Sequence, residues 1–135
     1  MGIDIVEIEE IKKAIEKSNR FIERVYTQKE IEYCEGKIDK YPHYAARYAA
    51  KEAVMKALGT GWDEGVQWKQ IETVNTENRK PGTGDRKPVA GSDKPQIKLS
   101  GEALKLATEM RVNNIVVSLS HSQYYAVANV IFEGD

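Results

Sequence analysis

The sequence contains very little cysteine and no long apolar run. Its one cysteine, Cys34, cannot form a disulfide within the chain, so nothing indicates an oxidising compartment. No apolar run approaches the roughly 20 residues that a membrane-spanning helix needs. The first residues, MGIDIVEIEE, lack the cationic start and the apolar centre of a signal peptide. We therefore expect a cytoplasmic protein without a membrane segment.

An excess of charge of either sign is also missing. The 135 residues include 20 Lys or Arg and 21 Asp or Glu, which gives a formal net charge of −1. This balance argues against a protein that wraps nucleic acid or binds broadly to an anionic membrane, but it allows a local basic patch. The length is typical of one domain, so we expect a single domain over residues 1–135 that can bury more surface by oligomerising.

The hydrophobic pattern of the first thirty residues predicts a strand followed by helices. Residues 2–6 read as a short strand with its isoleucines on the face opposite Asp4. Isoleucines spaced by three and four then indicate a helix on which Glu16 would pair with Arg20. The sequence TQKE at 27–30 matches a capping box, which predicts that a second helix begins there.

The longest predicted helix follows Pro42, contains the alanine-rich run HYAARYAAKEAVMKAL and stops at Gly59. A strand is predicted around 71–74. Residues 75–96 hold three of the four prolines and several glycines, so we expect a mobile loop there, with a strand resuming at its end. Ser100 is positioned to cap the helix EALKLATEM, and the runs VVSLS and YYAVANVIF predict a final hairpin.

Two carboxylates stand among apolar or small residues. Asp4 interrupts an apolar strand, where a carboxylate needs a partner, a metal ion or an exposed edge. Glu52 shares a helical stripe with Ala45, Tyr48 and Ala49, and an i,i+4 surface pair with Lys56 is the simplest alternative for it. Two carboxylates without histidine or cysteine partners suit a hard cation such as Mg²⁺.

Basic residues elsewhere could neutralise phosphates. Arg47, Lys56 and His121 are candidates, and phosphoryl transfer needs little from a protein beyond positioning and charge neutralisation. The simpler alternatives stay open. Arg47 and Lys51 would form an exposed i,i+4 pair, His121 would be a polar residue at a turn, and His43 would be a solvated residue at the start of a helix.

Four blocks of the sequence, in order, carry recognisable motifs. They are residues 2–8 (GIDIVEI), 21–27 (FIERVYT), 47–61 (RYAAKEAVMKALGTG) and 117–122 (VSLSHS). Together they resemble the holo-acyl-carrier-protein synthases, the small 4′-phosphopantetheinyl transferases, over nearly the whole chain. The resemblance implies an α+β fold with a long alanine-rich helix packed on a small antiparallel sheet. It also implies a homotrimer whose active sites lie between neighbouring protomers.

The resemblance also implies a reaction and a set of site residues. It implies transfer of 4′-phosphopantetheine from coenzyme A to a serine of apo acyl carrier protein, with release of adenosine 3′,5′-bisphosphate, in fatty acid biosynthesis. By the same resemblance Asp4, Glu52 and Lys56 are catalytic, and Asp4 and Glu52 hold Mg²⁺. Either a metal-held water or Glu52 would accept the serine proton. The positions that match the coenzyme A pocket of the family are Arg47, Lys56, Gly59, His121 and Ser122.

The sequence departs from the family pattern in two places. The family often has an arginine just before the isoleucine that corresponds to Ile11, where it meets an acidic helix of the carrier, and this chain has Glu10. A longer polar loop also precedes Asp93-Lys94-Pro95, where the family has a short Gly-Lys-Pro hairpin. The rest of the expected carrier-binding face, which would otherwise be a solvated helix surface, is Lys17, Arg20, Phe21 and Arg24.

Two other functions remain compatible with these motifs. One is a non-catalytic carrier-protein-binding module of the same fold, which the reversed charge at Glu10 mildly favours and the intact Asp4, Glu52 and Lys56 disfavour. The other is a Mg²⁺-dependent hydrolase that transfers the phosphoryl group to water.

Overall fold

The computed structural model describes residues 1–59, 65–76 and 94–134, and these form five α-helices and five strands. The helices are α1 (Ile8–Lys17), α2 (Asn19–Val25), α3 (Gln28–Glu35), α4 (Tyr41–Leu58) and α5 (Gly101–Glu109). The strands are β1 (Gly2–Glu7), β2 (Ile71–Thr76), β3 (Lys94–Leu99), β4 (Val112–His121) and β5 (Tyr125–Gly134). A 3₁₀ turn, Trp68–Gln70, precedes β2.

Two small antiparallel sheets and the helix α4 make up the framework. One sheet has the strand order β1–β5–β4, and the other pairs β2 with β3. The α+β class with small antiparallel sheets is therefore confirmed. The 18-residue helix α4 crosses the inner face of the three-stranded sheet and forms the centre of the core.

Small side chains on both partners let α4 approach the sheet closely. Ala49 and Ala53 on the helix, and Ala126 and Ala128 on β5, are completely buried. The approach is closest at Gly2, where a Cβ atom would lie only 1.9 Å from the carbonyl oxygen of Ala53. Glycine at this position therefore lets β1 lie directly against α4, and the side chain of the next inward-facing residue of β1 meets the helix.

Several local predictions can be compared with this fold. The capping box at Thr27 and Glu30 is confirmed, since both of its hydrogen bonds are present. The predicted Glu16–Arg20 pair on one helix is wrong, because α1 ends at Lys17 and an extended Ser18 separates it from α2. Ser18 instead accepts a hydrogen bond from the backbone N–H of Arg20 and caps α2.

The C-terminal half differs from its prediction at the element ends. Ser100 occupies the N-cap position of α5, but its side chain makes no capping hydrogen bond. The expected loop over 75–96 is wrong at both ends, because β2 continues to Thr76 and β3 begins at Lys94. The rest of that stretch lies outside the described residues, so its expected mobility stays a prediction.

The outer face of the three-stranded sheet carries exposed apolar side chains. Ile5 is 61% exposed, and Ile3, Val116 and Ile131 are each at least two-fifths exposed. The prediction that the isoleucines of β1 lie opposite Asp4 is confirmed, since Asp4 is turned towards α4. Among the described residues, no helix is both long enough and apolar enough to span a membrane.

Candidate active site

Asp4 and Glu52 come together where β1 crosses α4. The Asp4 carboxylate accepts a hydrogen bond from the Lys56 ammonium, with 2.8 Å between Oδ1 and Nζ, and the same ammonium lies 3.1 Å from the carbonyl oxygen of Ile3. The Asp4 side chain is only 13% exposed although β1 is an edge strand, so the exposed-edge interpretation is wrong. The alternative Glu52–Lys56 surface pair is also wrong, because Lys56 forms its ion pair with Asp4.

The electrostatics of Glu52 show that this carboxylate lacks a full counter-charge. Burial raises the pKa of Glu52, and the negative charge of Asp4 raises it further, while Tyr48 and Lys56 lower it. Two carboxylates thus repel each other in a half-buried site that contains a single ammonium. The described residues contain no group of three or more His, Cys, Asp or Glu that is placed to hold a metal ion. A cation bound here would keep most of its coordination for water or phosphate oxygens, which is how Mg²⁺ commonly binds.

Tyr48, which the sequence placed on the same helical stripe as Glu52 but not in the site, is a component of it. Its hydroxyl donates a hydrogen bond to Glu52 one helical turn further on, and burial followed by the charge of Glu52 raises the pKa of Tyr48. Its ring stacks on Phe21 of α2 and on Trp68, with centroid separations of 6.0 and 5.0 Å. Phe21, a residue of the expected carrier-binding face, is therefore packed on the tyrosine that contacts Glu52. The i,i+4 spacing of Tyr48 and Glu52 was the available signal.

The other residues of the expected carrier-binding face are accessible. Lys17, Arg20 and Arg24 are exposed, and Phe21 is half-buried by its aromatic contacts. Glu10, the reversed charge, is also exposed, and its field reaches the Tyr48 hydroxyl. The start of α1 therefore lies on the side of the molecule that carries the carboxylate pair.

Arg47 and His121 belong to a second site, on a different side of α4. Arg47 is 2% exposed, and its guanidinium lies 3.9 Å from the centre of the Tyr33 ring and donates a hydrogen bond to Asn75. His121, at the end of β4, lines the same pocket together with His43. The prediction that Arg47 and Lys51 form an exposed pair is wrong, because both side chains are buried.

Two residues assigned to the coenzyme A pocket have mainly local roles in the described structure. Gly59 ends α4 with a φ of +74°, which confirms the predicted left-handed stop. Ser122 lies in the β4–β5 turn, where its hydroxyl accepts hydrogen bonds from the backbone N–H groups of Tyr124 and Tyr125. Gly59 follows Lys56 by three residues and Ser122 follows His121, so each adjoins one of the two sites.

Within one chain the two sites do not merge. Arg47 and Glu52 are five residues apart on α4, so their side chains leave the helix about 140° apart. Arg47 and Lys56 are separated by about 14 Å along the axis. The structure therefore brings together Asp4, Glu52 and Lys56, and separately Arg47 and His121, on two faces of one helix.

Comparison with known proteins identifies the family of the chain. The family model of the 4′-phosphopantetheinyl transferase superfamily matches residues 1–120. A holo-[acyl-carrier-protein] synthase of Geobacter sulfurreducens is 44% identical over 133 residues, which cover 98% of this chain and 94% of that protein. A second, of Ruminiclostridium cellulolyticum, is also 44% identical, over 97% of this chain and 89% of its own length.

Solved structures show the same likeness. The holo-[acyl-carrier-protein] synthase of Helicobacter pylori, in complex with coenzyme A, matches with a TM-score of 0.76 and 28% identity over 98% of each chain. That of Neisseria meningitidis matches with a TM-score of 0.79 and 25% identity, covering 98% of this chain and 95% of its own. The resemblance drawn from the four motifs is thereby confirmed, and with it the assignment as an enzyme of this type. The chain belongs to the 4′-phosphopantetheinyl transferase superfamily.

Proposed function

We propose that this chain is a holo-[acyl-carrier-protein] synthase. It transfers 4′-phosphopantetheine from coenzyme A to a serine hydroxyl of an apo acyl carrier protein and releases adenosine 3′,5′-bisphosphate. The partner we propose is the carrier of fatty acid biosynthesis in the cytoplasm. The observation that carries the proposal is the convergence of Asp4, Glu52 and Lys56 from β1 and α4, in a member of this superfamily.

The proposed roles of the cluster follow from its charges. Asp4 and Glu52 would hold a magnesium ion through carboxylate oxygens, since the charge of Asp4 and burial both disfavour the charged form of Glu52 and a cation would offset this. When bound, Mg²⁺ supplies charge neutralisation at the diphosphate of coenzyme A and at the leaving phosphate. Lys56 keeps Asp4 oriented towards α4 and adds a positive charge beside the same phosphates. Tyr48 holds the Glu52 carboxylate on the side of Asp4.

We also propose that the protein works as a homotrimer with each active site shared between two copies. The exposed apolar side chains on the outer face of the three-stranded sheet support an interface there, because a small domain gains stability by burying such a surface. The separation of the two sites on α4 supports the sharing. One copy would supply Asp4, Glu52 and Lys56, and its neighbour would supply Arg47 and His121 to the same coenzyme A.

The carrier binds, in this proposal, along α1 and α2. The exposed Lys17, Arg20 and Arg24 attract an acidic carrier helix, while Phe21 connects the docked surface to Tyr48 and Glu52. Glu10 lies on the same side and opposes an acidic partner.

We expect Glu10→Arg to lower the apparent KM for a generic acidic carrier by about threefold, with little change in kcat, because a rim charge acts mainly on encounter. The gain should shrink at high salt, since exposed charges are screened over about 10 Å at 0.1 M ionic strength. Arg20→Glu should raise the same KM and leave the KM for coenzyme A unchanged. Steady-state kinetics at two salt concentrations check these effects.

Glu109→Arg, which reverses an exposed charge on α5, is the matched control and should change nothing. A slower reaction of Glu10→Arg with the native carrier would make Glu10 a specificity contact with a basic residue of that partner. If neither Glu10→Arg nor Arg20→Glu altered the kinetics with any carrier, docking along α1 and α2 would be refuted.

One experiment separates the proposed transferase from its alternatives. The protein is incubated with coenzyme A, Mg²⁺ and several apo carrier proteins, and the products are weighed by mass spectrometry. A carrier that becomes heavier by one phosphopantetheine arm is the expected result. Free phosphopantetheine without a modified carrier would indicate a hydrolase, and no change with any carrier would indicate a non-catalytic carrier-binding module.

A further inference from the structure

A pocket of about 190 Å³ opens between α3, the start of α4 and the end of β4. The side chains that line it include Tyr33, His43, Arg47, Leu119 and His121. Three of these five carry nitrogen donors, and none of the lining residues is acidic. The composition fits an anion whose charge is accompanied by a flat or apolar group.

The structure contradicts the position predicted for His43 from the sequence. A solvated residue at the start of a helix was predicted, but the imidazole is half-buried, with its ring centre 5.8 Å from that of Tyr33 and 5.8 Å from that of His121. It also lies one helical turn before Arg47, on the same side of α4. His43 therefore forms part of the pocket wall, where its ring connects α4 with β4 by contacting His121.

The Arg47 guanidinium indicates which kind of ligand the pocket binds. Its Nε is buried and, among the described residues, has no hydrogen-bond partner, although Nη2 donates to Asn75. A buried donor without a partner is costly, so the site is arranged for an acceptor that arrives with a ligand. A guanidinium and an imidazole that line the same pocket fit a phosphate monoester.

The burial of His43 and the charges around it determine which protonation state of its imidazole is favoured. Burial lowers the pKa of His43, and the positive charges of Arg47 and Lys37 and the neighbouring His121 lower it further, against a smaller opposing effect of Asp39. Before a ligand binds, these charges favour the neutral imidazole, which offers one N–H donor. It adds a directed hydrogen bond beside the arginine.

We propose that His43 donates a hydrogen bond to the 3′-phosphate of coenzyme A and so determines the preference for coenzyme A over 3′-dephospho-coenzyme A. The inference rests on the proposed function, because coenzyme A carries its phosphates as two kinds of group, a diphosphate and a monoester. Its diphosphate is assigned to the Asp4–Glu52–Lys56 cluster. The phosphate monoester on its ribose remains, and the pocket of His43 and Arg47 matches that group.

The test compares two substrates that differ only in this phosphate. His43→Phe keeps an aromatic ring between Tyr33 and His121 but removes the donor. We expect its KM for coenzyme A to rise about tenfold, the range of one hydrogen bond to a charged group, while kcat and the KM for 3′-dephospho-coenzyme A stay at the wild-type values. His43→Gln, which restores an N–H donor, should recover part of the loss.

Lys40→Gln is the matched control, since it removes an exposed charge three residues before His43 that pairs with Glu35 rather than facing the pocket. It should leave both KM values unchanged. An equal rise of KM for both substrates in His43→Phe would mean that the ring only packs, and this would overturn the proposal. Unchanged values for both would overturn it as well.

A binding measurement keeps the inference separate from the proposed function. Calorimetry with adenosine 3′,5′-bisphosphate and with adenosine 5′-monophosphate requires no carrier and no turnover. The wild-type protein should bind the bisphosphate more tightly, and His43→Phe should lose about tenfold in affinity for the bisphosphate alone. If transfer failed while this difference persisted, only the proposed function would fall; equal affinities in the wild-type protein would refute the inference.

Discussion

Replacing Glu52 with glutamine should reduce 4′-phosphopantetheine transfer by a factor on the order of 10²–10³, the range seen when one electrostatic group of an active site is removed. The substitution keeps the shape and the hydrogen bond from Tyr48 but deletes the charge that would hold the cation. Asp4→Ala should be at least as damaging, because it also leaves Lys56 without its partner. Mass spectrometry of the carrier, with coenzyme A and Mg²⁺ in excess, measures the loss.

The loss must be separated from unfolding. Glu52 is half-buried and neither carboxylate fills core volume, so the urea midpoints of both variants should stay close to that of the wild type. Glu109→Gln, which neutralises an exposed carboxylate on α5, serves as the matched control and should retain full activity. Near-normal transfer by Asp4→Ala or Glu52→Gln at ordinary Mg²⁺ concentrations would remove the metal assignment.

The largest stability effect is expected at Lys51. Its ammonium is completely buried, lies 2.7 Å from the Glu30 carboxylate and also donates to the carbonyl oxygens of Trp68 and Ile71. The second Glu30 oxygen accepts the backbone N–H of Thr73. Burial lowers the pKa of Lys51, while Glu30 opposes that shift. Lys51→Met would leave a buried carboxylate uncompensated, and we expect it to cost about 3–5 kcal/mol of the free energy of unfolding.

Urea denaturation at neutral pH checks this value. An m-value equal to that of the wild type would indicate that unfolding stays two-state. The matched control is Lys40→Met, which breaks the exposed Lys40–Glu35 pair and should change stability by less than about 0.5 kcal/mol. The double variant Glu30→Gln with Lys51→Met should be more stable than Lys51→Met alone, since the isolated charge is gone. A Lys51→Met protein as stable as the control would contradict the role given to the buried pair.

Cys34 provides a second readout of the same region. It is completely buried in α3, one turn after Glu30, and burial raises the pKa of its thiol to about 12. A thiol reagent at pH 8 should therefore label it only when α3 opens. Labelling should be much faster in Lys51→Met than in Lys40→Met.

The family and its motifs could be predicted from the sequence, but the surroundings of the charged residues could not. Asp4 and Glu52 could be identified as candidates because a carboxylate in apolar surroundings needs a charged partner or a metal ion. Spacing on a helix does not reveal burial when a helix is covered on most sides. The spacing of Arg47 and Lys51 therefore predicted an exposed pair. In the structure both are buried: Lys51 pairs with Glu30, and Arg47 lines a pocket.

Other wrong predictions concerned local breaks and contacts between segments that are distant in the chain. The break between α1 and α2 occurs at Ser18 without glycine or proline, because an extended serine can end one helix and cap the next. His43 gains its position from His121, 78 residues away in the chain. Periodicity carries no information on such pairs, whereas Gly59 and the Thr27 capping box depend on neighbours and were predicted correctly.

The most direct test of the shared site is the activity of mixed oligomers. Asp4→Ala damages the face of α4 that carries the carboxylate pair, and Arg47→Gln damages the face that carries the phosphate pocket. At a coenzyme A concentration well below the wild-type KM, each variant alone should be nearly inactive. If the two are unfolded together and refolded as mixed trimers, about one quarter of the clefts combine two intact faces, because each cleft draws one face from each of two randomly chosen copies. Transfer to apo carrier should then recover to about a quarter of the wild-type rate, whereas a mixture no more active than the mean of the two variants would contradict an active site shared between subunits.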